Sequence, residues 1–420
     1  MAGPSMRNVF AASASLLRRA SSSAAIEHPV VDLSAVLRAA SSEEASVAAP
    51  TGAHAATLDA MRSALTHSGY FYATGCDAVL PERLISSTYD FADRLHALPL
   101  EAKRKYARPE GSGETINGVY SGADVGATEP AYEVGTLSLV RSWEYSRTRQ
   151  PGAGGSDTAG FPEPETRGWG EHGDGGYIAT LDHLYAKQDT LARALMLAFA
   201  EMFALPRRTF LSHFDSGDLG TIRLLHYPGP PQDSRSSSSS SAAAAETVAT
   251  ARADALLDDA TLAGISAHTD FEAFTLMHQD APGLQFLRPP SVAEAASSAP
   301  SPREWVDAPV RAGEFVVIVG DMLERFTNGV LKATPHRVLP TPWQRNSIVR
   351  FNAFHPQTVV APLSEFVDGA SGGGAAAQYT PVTMETHMAT TLKNLEQGLG
   401  SWSEEGQHSL SAHRSYPPQD

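Results

Sequence analysis

Cysteine is nearly absent: the 420 residues include one, Cys76. That excludes an internal disulfide framework and any cysteine-ligated metal cluster, so a metal site here must be built from histidine and carboxylate. Cys76 itself reads as a small buried apolar residue with no chemistry of its own. Long apolar runs are also missing. No stretch reaches the roughly 18 consecutive apolar residues of a membrane-spanning helix, and none is expected to span a bilayer. Basic residues are in the minority, 32 against 47 acidic, for a net charge of −15. Without a basic footprint, nucleic acid is not an expected partner. A ligand's negative charge would fall to a few buried arginines rather than to an overall field.

What is present suits a globular chain, with 42% apolar and 19% charged residues. Residues 1–28 read as an organellar transit peptide or disordered leader: Arg7, Arg18 and Arg19 sit among serines and alanines, with no acid before Glu27. Mitochondrion and plastid are not separated by this composition; without a leader function the expected place is the cytoplasm. Residues 29–150 form an N-terminal region. It holds a short strand at 29–33, a helix with Leu58, Met61 and Leu65 on one face closed by Gly69, and a second strand at Tyr70-Phe71-Tyr72. Pro81 opens a further helix carrying Leu84, Thr88, Phe91 and Leu95. Residues 151–204 give a Gly/Pro-rich loop and a long helix with Leu181, Leu184, Leu191, Leu195, Phe199 and Met202 along its stripe.

From 205 to 360 the pattern changes to short strands at 222–227, 274–277, 284–287, 315–319 and 347–354, separated by Gly, Pro and Asp. Closely spaced short strands predict a mainly β fold, a double-stranded β-helix or jelly roll flanked by helices. Serine- and alanine-rich segments near 233–260 and 289–303, with 369–377, cannot bury much apolar surface and read as surface insertions. Residues 361–420 supply a last helix, about 383–395, and a tail.

The chemistry concentrates in Ser266-Ala267-His268-Thr269-Asp270-Phe271. On a strand, residues two apart share a face, so His268 and Asp270 can reach one metal. A His-x-Asp pair alone is weak among fifteen histidines, and it also resembles part of a zinc site. Its company raises it: Gly320-Asp321-Met322, then His336 as third ligand, then Arg345-Asn346-Ser347 follow in order. Two imidazoles and a carboxylate that leave open positions suit non-haem iron(II). Arg345 and Ser347 share a strand face, and a guanidinium fork with a hydroxyl matches the far carboxylate of a 2-oxodicarboxylic acid. Tyr227 offers a third hydrogen bond to that carboxylate or is a core aromatic before a proline turn. Arg350, of opposite parity, is expected to point away. Phe271, Phe274, Leu276 and Phe351 are candidate pocket walls or plain core.

These residues resemble the iron(II)- and 2-oxoglutarate-dependent dioxygenases, in the branch named after isopenicillin N synthase. The carrying motifs are His268-Thr269-Asp270, Gly320-Asp321-Met322 with Thr327-Asn328-Gly329, His336-Arg337-Val338 and Arg345-x-Ser347. Pro29 to Leu33, Ser68-Gly69-Tyr70-Phe71, Leu98-Pro99 and Asn117-Gly118-Val119-Tyr120 extend the likeness over most of the chain. One departure stands out: Leu225 occupies a position where members often carry Asn. The resemblance implies Fe(II), 2-oxoglutarate as co-substrate and O2. It further implies hydroxylation, desaturation or cyclisation of a small organic substrate as 2-oxoglutarate is decarboxylated to succinate. Two alternatives stay open: an iron oxidase of the same fold using no 2-oxoacid, and a catalytically silent binding protein. Substrate identity and oligomeric state are not readable.

Overall fold

The computed structural model describes residues 27–41, 50–107, 120–126, 132, 136–146, 176–214, 220–229, 262–288, 303–367, 376–397, 402–403 and 408–409. The expected leader up to residue 26, the loop over 152–175, the serine-alanine insertion, the segment after Arg288 and Asn117-Gly118-Val119 lie outside the described residues.

Two sheets form the body. In chain order the strands are β1 (Val30–Asp32), β2 (Tyr70–Thr74), β3 (Tyr120–Ser121), β4 (Arg141–Ser146), β5 (Thr221–Tyr227) and β6 (Ile265–His268). They continue with β7 (Phe274–Gln279), β8 (Leu284–Arg288), β9 (Glu304–Asp307), β10 (Phe315–Val319), β11 (His336–Val338) and β12 (Arg345–Asn352). The large sheet runs β1-β2-β10-β7-β12-β5-β4-β3 and the small one β9-β8-β11-β6. Among the described residues, the helices of six residues or more are α1 (Ser34–Ser41), α2 (Gly52–His67), α3 (Glu82–His96), α4 (Gly176–Glu201), α5 (Asp321–Phe326) and α6 (Met384–Glu396).

Strand alternation divides the core in two. On β10, Phe315, Val317 and Val319 join a large cluster with Phe71, Trp143, Leu195, Phe199 and Phe274, between the large sheet and the helices. Val316 and Ile318 face the other way, into a second cluster with Tyr70, Tyr72, Leu225, Tyr227, Met277, Phe286 and Val338. A strand buried on both faces reads as an unbroken apolar run, as Phe-Val-Val-Ile-Val does. The second cluster has members on both sheets, so it is the interior of the roll.

The helix stripes predicted over 58–65, 84–95 and 181–202 are buried as expected. One strand differs. β12 spans Arg345–Asn352 rather than 347–354, because Tyr227 pairs with Arg345 at one end while β7 begins at Phe274, the partner of Asn352, at the other. Ala353 and Phe354 have no neighbour left in this ladder. Phe274 and Leu276 lie in the helix-side cluster, so they are core and not pocket wall, whereas Phe351 packs against the interior cluster.

Gly69, just past the end of α2, ties a helix terminus to the site. Its φ is +73°, and a Cβ there would run into the Thr334 hydroxyl and the Lys332 carbonyl. The same contact is held by the Thr334 hydroxyl donating to Ser68 O at 2.8 Å. Segment 332–334 leads straight into β11, so the close approach sets where His336 begins. A left-handed alanine costs roughly 1–2 kcal/mol, and overpacking against fixed backbone adds about 1–3. Gly69→Ala is expected to lower unfolding free energy by about 2 kcal/mol or more in chemical denaturation. A denaturation midpoint matching the wild type would show that the segment yields without cost.

Candidate metal and co-substrate site

His268 ends β6 and His336 opens β11, and the two are direct partners across the small sheet, their rings 4.4 Å apart. Each imidazole is fixed by backbone beside it. His268 Nδ1 donates to Ser266 O at 2.8 Å and His336 Nδ1 to Thr334 O at 2.9 Å. A carbonyl can only accept, so the proton sits on Nδ1 and each Nε2 keeps its lone pair. Both Nε2 atoms lie 3.6 Å from Asp270 Oδ1. The three ligand atoms fall within 4.8 Å of one another, and all three residues are buried. Two neutral imidazoles and one carboxylate aimed at a common point fit a divalent first-row metal such as iron(II). Burial, then His336, holds the His268 imidazole well below its usual range, which favours the neutral form that a metal would need. Burial raises Asp270; a bound cation would reverse that.

Asp270 reaches the point by a route that strand parity did not foresee. β6 stops at His268, so the carboxylate is carried by the following loop. Its carbonyl accepts from Asp321 N at 2.8 Å, at the start of α5, and its Oδ2 accepts from the Thr275 hydroxyl. One carboxylate oxygen is thereby tethered while the other faces the histidines. Gly320 allows the close packing, since a Cβ there would strike Glu272 O.

Arg345, Ser347 and Tyr227 come together at one end of the roll. Arg345 is fully buried and donates to Gln279 Oε1 at 3.0 Å, Ala281 O at 3.2 Å and Ser347 Oγ at 3.5 Å. Its guanidinium lies 4.6 Å from the centre of the Tyr227 ring. Asp280 feels the Arg345 charge, but both its oxygens accept from Asn346. A buried guanidinium whose hydrogen bonds run to neutral groups is matched to an incoming carboxylate. Arg350 points the other way, as parity predicts, to Asn352 Oδ1 at 2.7 Å and Asp189 Oδ1 at 3.2 Å.

Several residues of the site escaped the sequence. The Tyr132 ring stacks on His268 at 4.2 Å. Arg223 pairs with Glu144 at 2.6 Å, and its guanidinium lies 5.6 Å from the centre of the Phe351 ring. Glu272 is 5% exposed and its Oε2 has no hydrogen-bond partner. Burial and then the charge of Asp270 push it up to about 8. Arg223 shares strand parity with Tyr227, a signal that could have marked it. Of the other histidines, His226 donates to Asn346 Oδ1 and His278 bonds the Tyr89 hydroxyl, each at 2.8 Å, His387 meets Asp321 at 3.2 Å, and His355 is exposed.

Comparison with known proteins agrees with this geometry. Residues 222–353 match the 2OG-Fe(II) oxygenase superfamily, and residues 29–148 match the family described as non-haem dioxygenase in morphine synthesis N-terminal. The 2-oxoglutarate-Fe(II) type oxidoreductase hxnY of Emericella nidulans is 27% identical over 382 residues, covering 86% of this chain and 91% of that protein. Among solved structures, a full-length Neurospora crassa protein in complex with alpha-KG and thymine has a TM-score of 0.61 at 19% identity, covering 88% of this chain and 99% of that one. A rice dioxygenase for auxin oxidation gives 0.56 at 20%, covering 92% and 98%. These two share the fold. The chain belongs to the 2OG-Fe(II) oxygenase superfamily. Within it, the protein is a 2-oxoglutarate-dependent dioxygenase, an oxidoreductase with Fe(II) as its metal.

Thr275→Val keeps the side-chain shape and removes the hydroxyl that tethers Asp270. Loss of such a support is expected to weaken Fe(II) binding about 10- to 100-fold, read by anaerobic metal titration with circular dichroism as the folding control. Unchanged affinity would mean that the loop alone orients the carboxylate.

Proposed function

We propose that His268, Asp270 and His336 are the iron(II) ligands of this dioxygenase, and that Arg345, with Ser347 and Tyr227, holds the far carboxylate of 2-oxoglutarate. The observation that carries the reading is the pair of fixed imidazole tautomers converging with Asp270 on one point. When bound, iron(II) supplies the redox chemistry that couples decarboxylation of 2-oxoglutarate to succinate with oxidation of a substrate by O2. The protein's own part is placement. The register of β12 against β7 sets Ser347 opposite Gln279 and Phe351 opposite Thr275, so Arg345 lies toward one end of the roll and Thr275, which tethers Asp270, toward the other. A 2-oxodicarboxylate fits that run with its far carboxylate on Arg345 and its keto-acid end toward the triad. The apolar interior around Met277, Phe286 and Val338 keeps water from the reacting end.

A small organic substrate is supported by the structural neighbours, since the Neurospora crassa protein is described with thymine bound. The net charge of −15 supports no nucleic-acid partner. No helix among the described residues is long and apolar enough to cross a membrane. The arginine- and serine-rich leader supports an organellar destination.

Anaerobic titration with Fe(II) and then 2-oxoglutarate is expected to develop the visible charge-transfer band of the chelate. His268→Ala and His336→Ala should each abolish metal binding and turnover, and near-normal activity in either would refute the ligand assignment. Arg345→Ala should still bind iron while needing about 10- to 100-fold more 2-oxoglutarate, the worth of a charged hydrogen-bonded contact. An unchanged requirement would remove Arg345 from the role. Iron binding without any band would place the protein with oxidases that use no 2-oxoacid.

A further inference from the structure

Arg345 and Arg223 both face the interior of the roll, and their surroundings differ. Arg345 has neutral hydrogen-bond partners. Arg223, on the neighbouring strand β5, is answered at 2.6 Å by Glu144, its direct partner on β4, whose side chain is 2% exposed. The ladders fix where Arg223 lies. It sits opposite Val349 of β12, beside Phe351, and Phe351 in turn sits opposite Thr275. Arg223 is thus level with Met277, between the Arg345 end and Thr275. From Thr275 it stands two strand spacings across and two residues along, about 12 Å. Its charge is felt at His268, Asp270 and Glu272. Glu272 adds a buried carboxyl whose Oε2 lacks a partner, and Phe351 adds an aromatic face that is only partly buried.

We propose that Arg223, Glu272 and Phe351 form the substrate subsite of this enzyme, and that it takes a neutral flat ring with an amide edge, a carbonyl beside an N–H. The inference rests on the reading of the triad and of Arg345 given above. Its chemistry follows from charge balance. Glu144 already neutralises Arg223, and a divalent cation at the triad would be answered by Asp270 and a 2-oxoglutarate carboxylate, so a substrate carboxylate would find no unmatched cation. A neutral carbonyl needs no counter-charge and accepts from the guanidinium N–H groups. The neighbouring N–H of a cyclic amide is the donor that a buried carboxyl oxygen lacks. Phe351, against which Arg223 already lies, offers a face for stacking a flat ring.

The test uses the full chain with Mn(II) in place of iron, together with 2-oxoglutarate, in calorimetric titrations with uracil, 2-pyridone and benzoate. Mn(II) and 2-oxoglutarate are titrated first; if neither binds, the triad reading fails and this inference falls with it. Given that ternary complex, uracil or 2-pyridone should bind at least about tenfold tighter than benzoate, the worth of one well-made hydrogen bond in a buried site. Arg223→Met together with Glu144→Gln removes both charges at once and avoids stranding a buried carboxylate. That double variant and Glu272→Leu should each erase the preference, while Glu272→Gln, which keeps an acceptor, should retain most of it. Benzoate binding as tightly as the cyclic amides, no binding of either amide to the ternary complex, or an unaltered preference in both variants would overturn the assignment.

Discussion

Everything at the centre of this molecule depends on one cross-strand pair, His268 opposite His336 in the small sheet. Antiparallel partners bring Cβ atoms to within about 5 Å of each other, so pairing β6 with β11 places two imidazoles side by side before any metal arrives. Backbone carbonyls two residues upstream of each histidine then choose the tautomer. A slip of one residue in that register would turn one imidazole out of the roll. The fold guards against it from both sides. β11 is also paired with β8, with His336 opposite Phe286, and the segment before it is pinned under the end of α2 through Gly69 and Thr334.

A second constraint is electrostatic. A roll that buries Asp270, Glu272, Glu144 and Arg345, with Arg223 half-buried beside them, must balance each charge locally or leave it to a ligand. Arg223 is balanced within the chain, by its partner across one ladder. Arg345 is fixed by neutral acceptors and is the one proposed to meet an anion. The same side-chain type therefore has two different settings on adjacent strands, and the difference is made by what each one meets: Glu144 in one case, Gln279 and a carbonyl in the other.

The parts of the site legible in the sequence were those set by short-range spacing. His268-x-Asp270, Arg345-x-Ser347 and the outward turn of Arg350 follow from local periodicity, and the jelly roll followed from short strands with turn residues between them. Parity gave the right partners for Asp270 by the wrong path, since no spacing rule says that β6 ends at His268 and that Thr275 and Asp321 N then hold the loop. Glu144 against Arg223 was illegible for a different reason. The pair is 79 residues apart in the chain and exists only through the β4–β5 register. Phe274 and Leu276 look like Phe351 in a hydropathy pattern, and only the sheet's two-sided burial assigns the first two to the helix side.

The Gly320-Asp321-Met322 segment shows how a motif without direct chemistry still governs the site. Its glycine admits the ligand loop against bare backbone, and the next two amides donate to the carbonyls of Asp270 and Glu272 at 2.8 and 3.1 Å. The first turn of α5 thus uses amides that a helix cannot satisfy internally to hold the loop. The Asp321 carboxylate turns outward to His387 of α6 at 3.2 Å, both side chains fully buried. α6 starts on a threonine cap, Thr383 accepting from Thr386 N, so its first turn, where His387 sits, is held at a defined place. Position passes from that cap to His387, to Asp321 and on to the loop that carries Asp270, which makes the C-terminal helix part of the scaffold of the proposed metal site rather than an appendage to it.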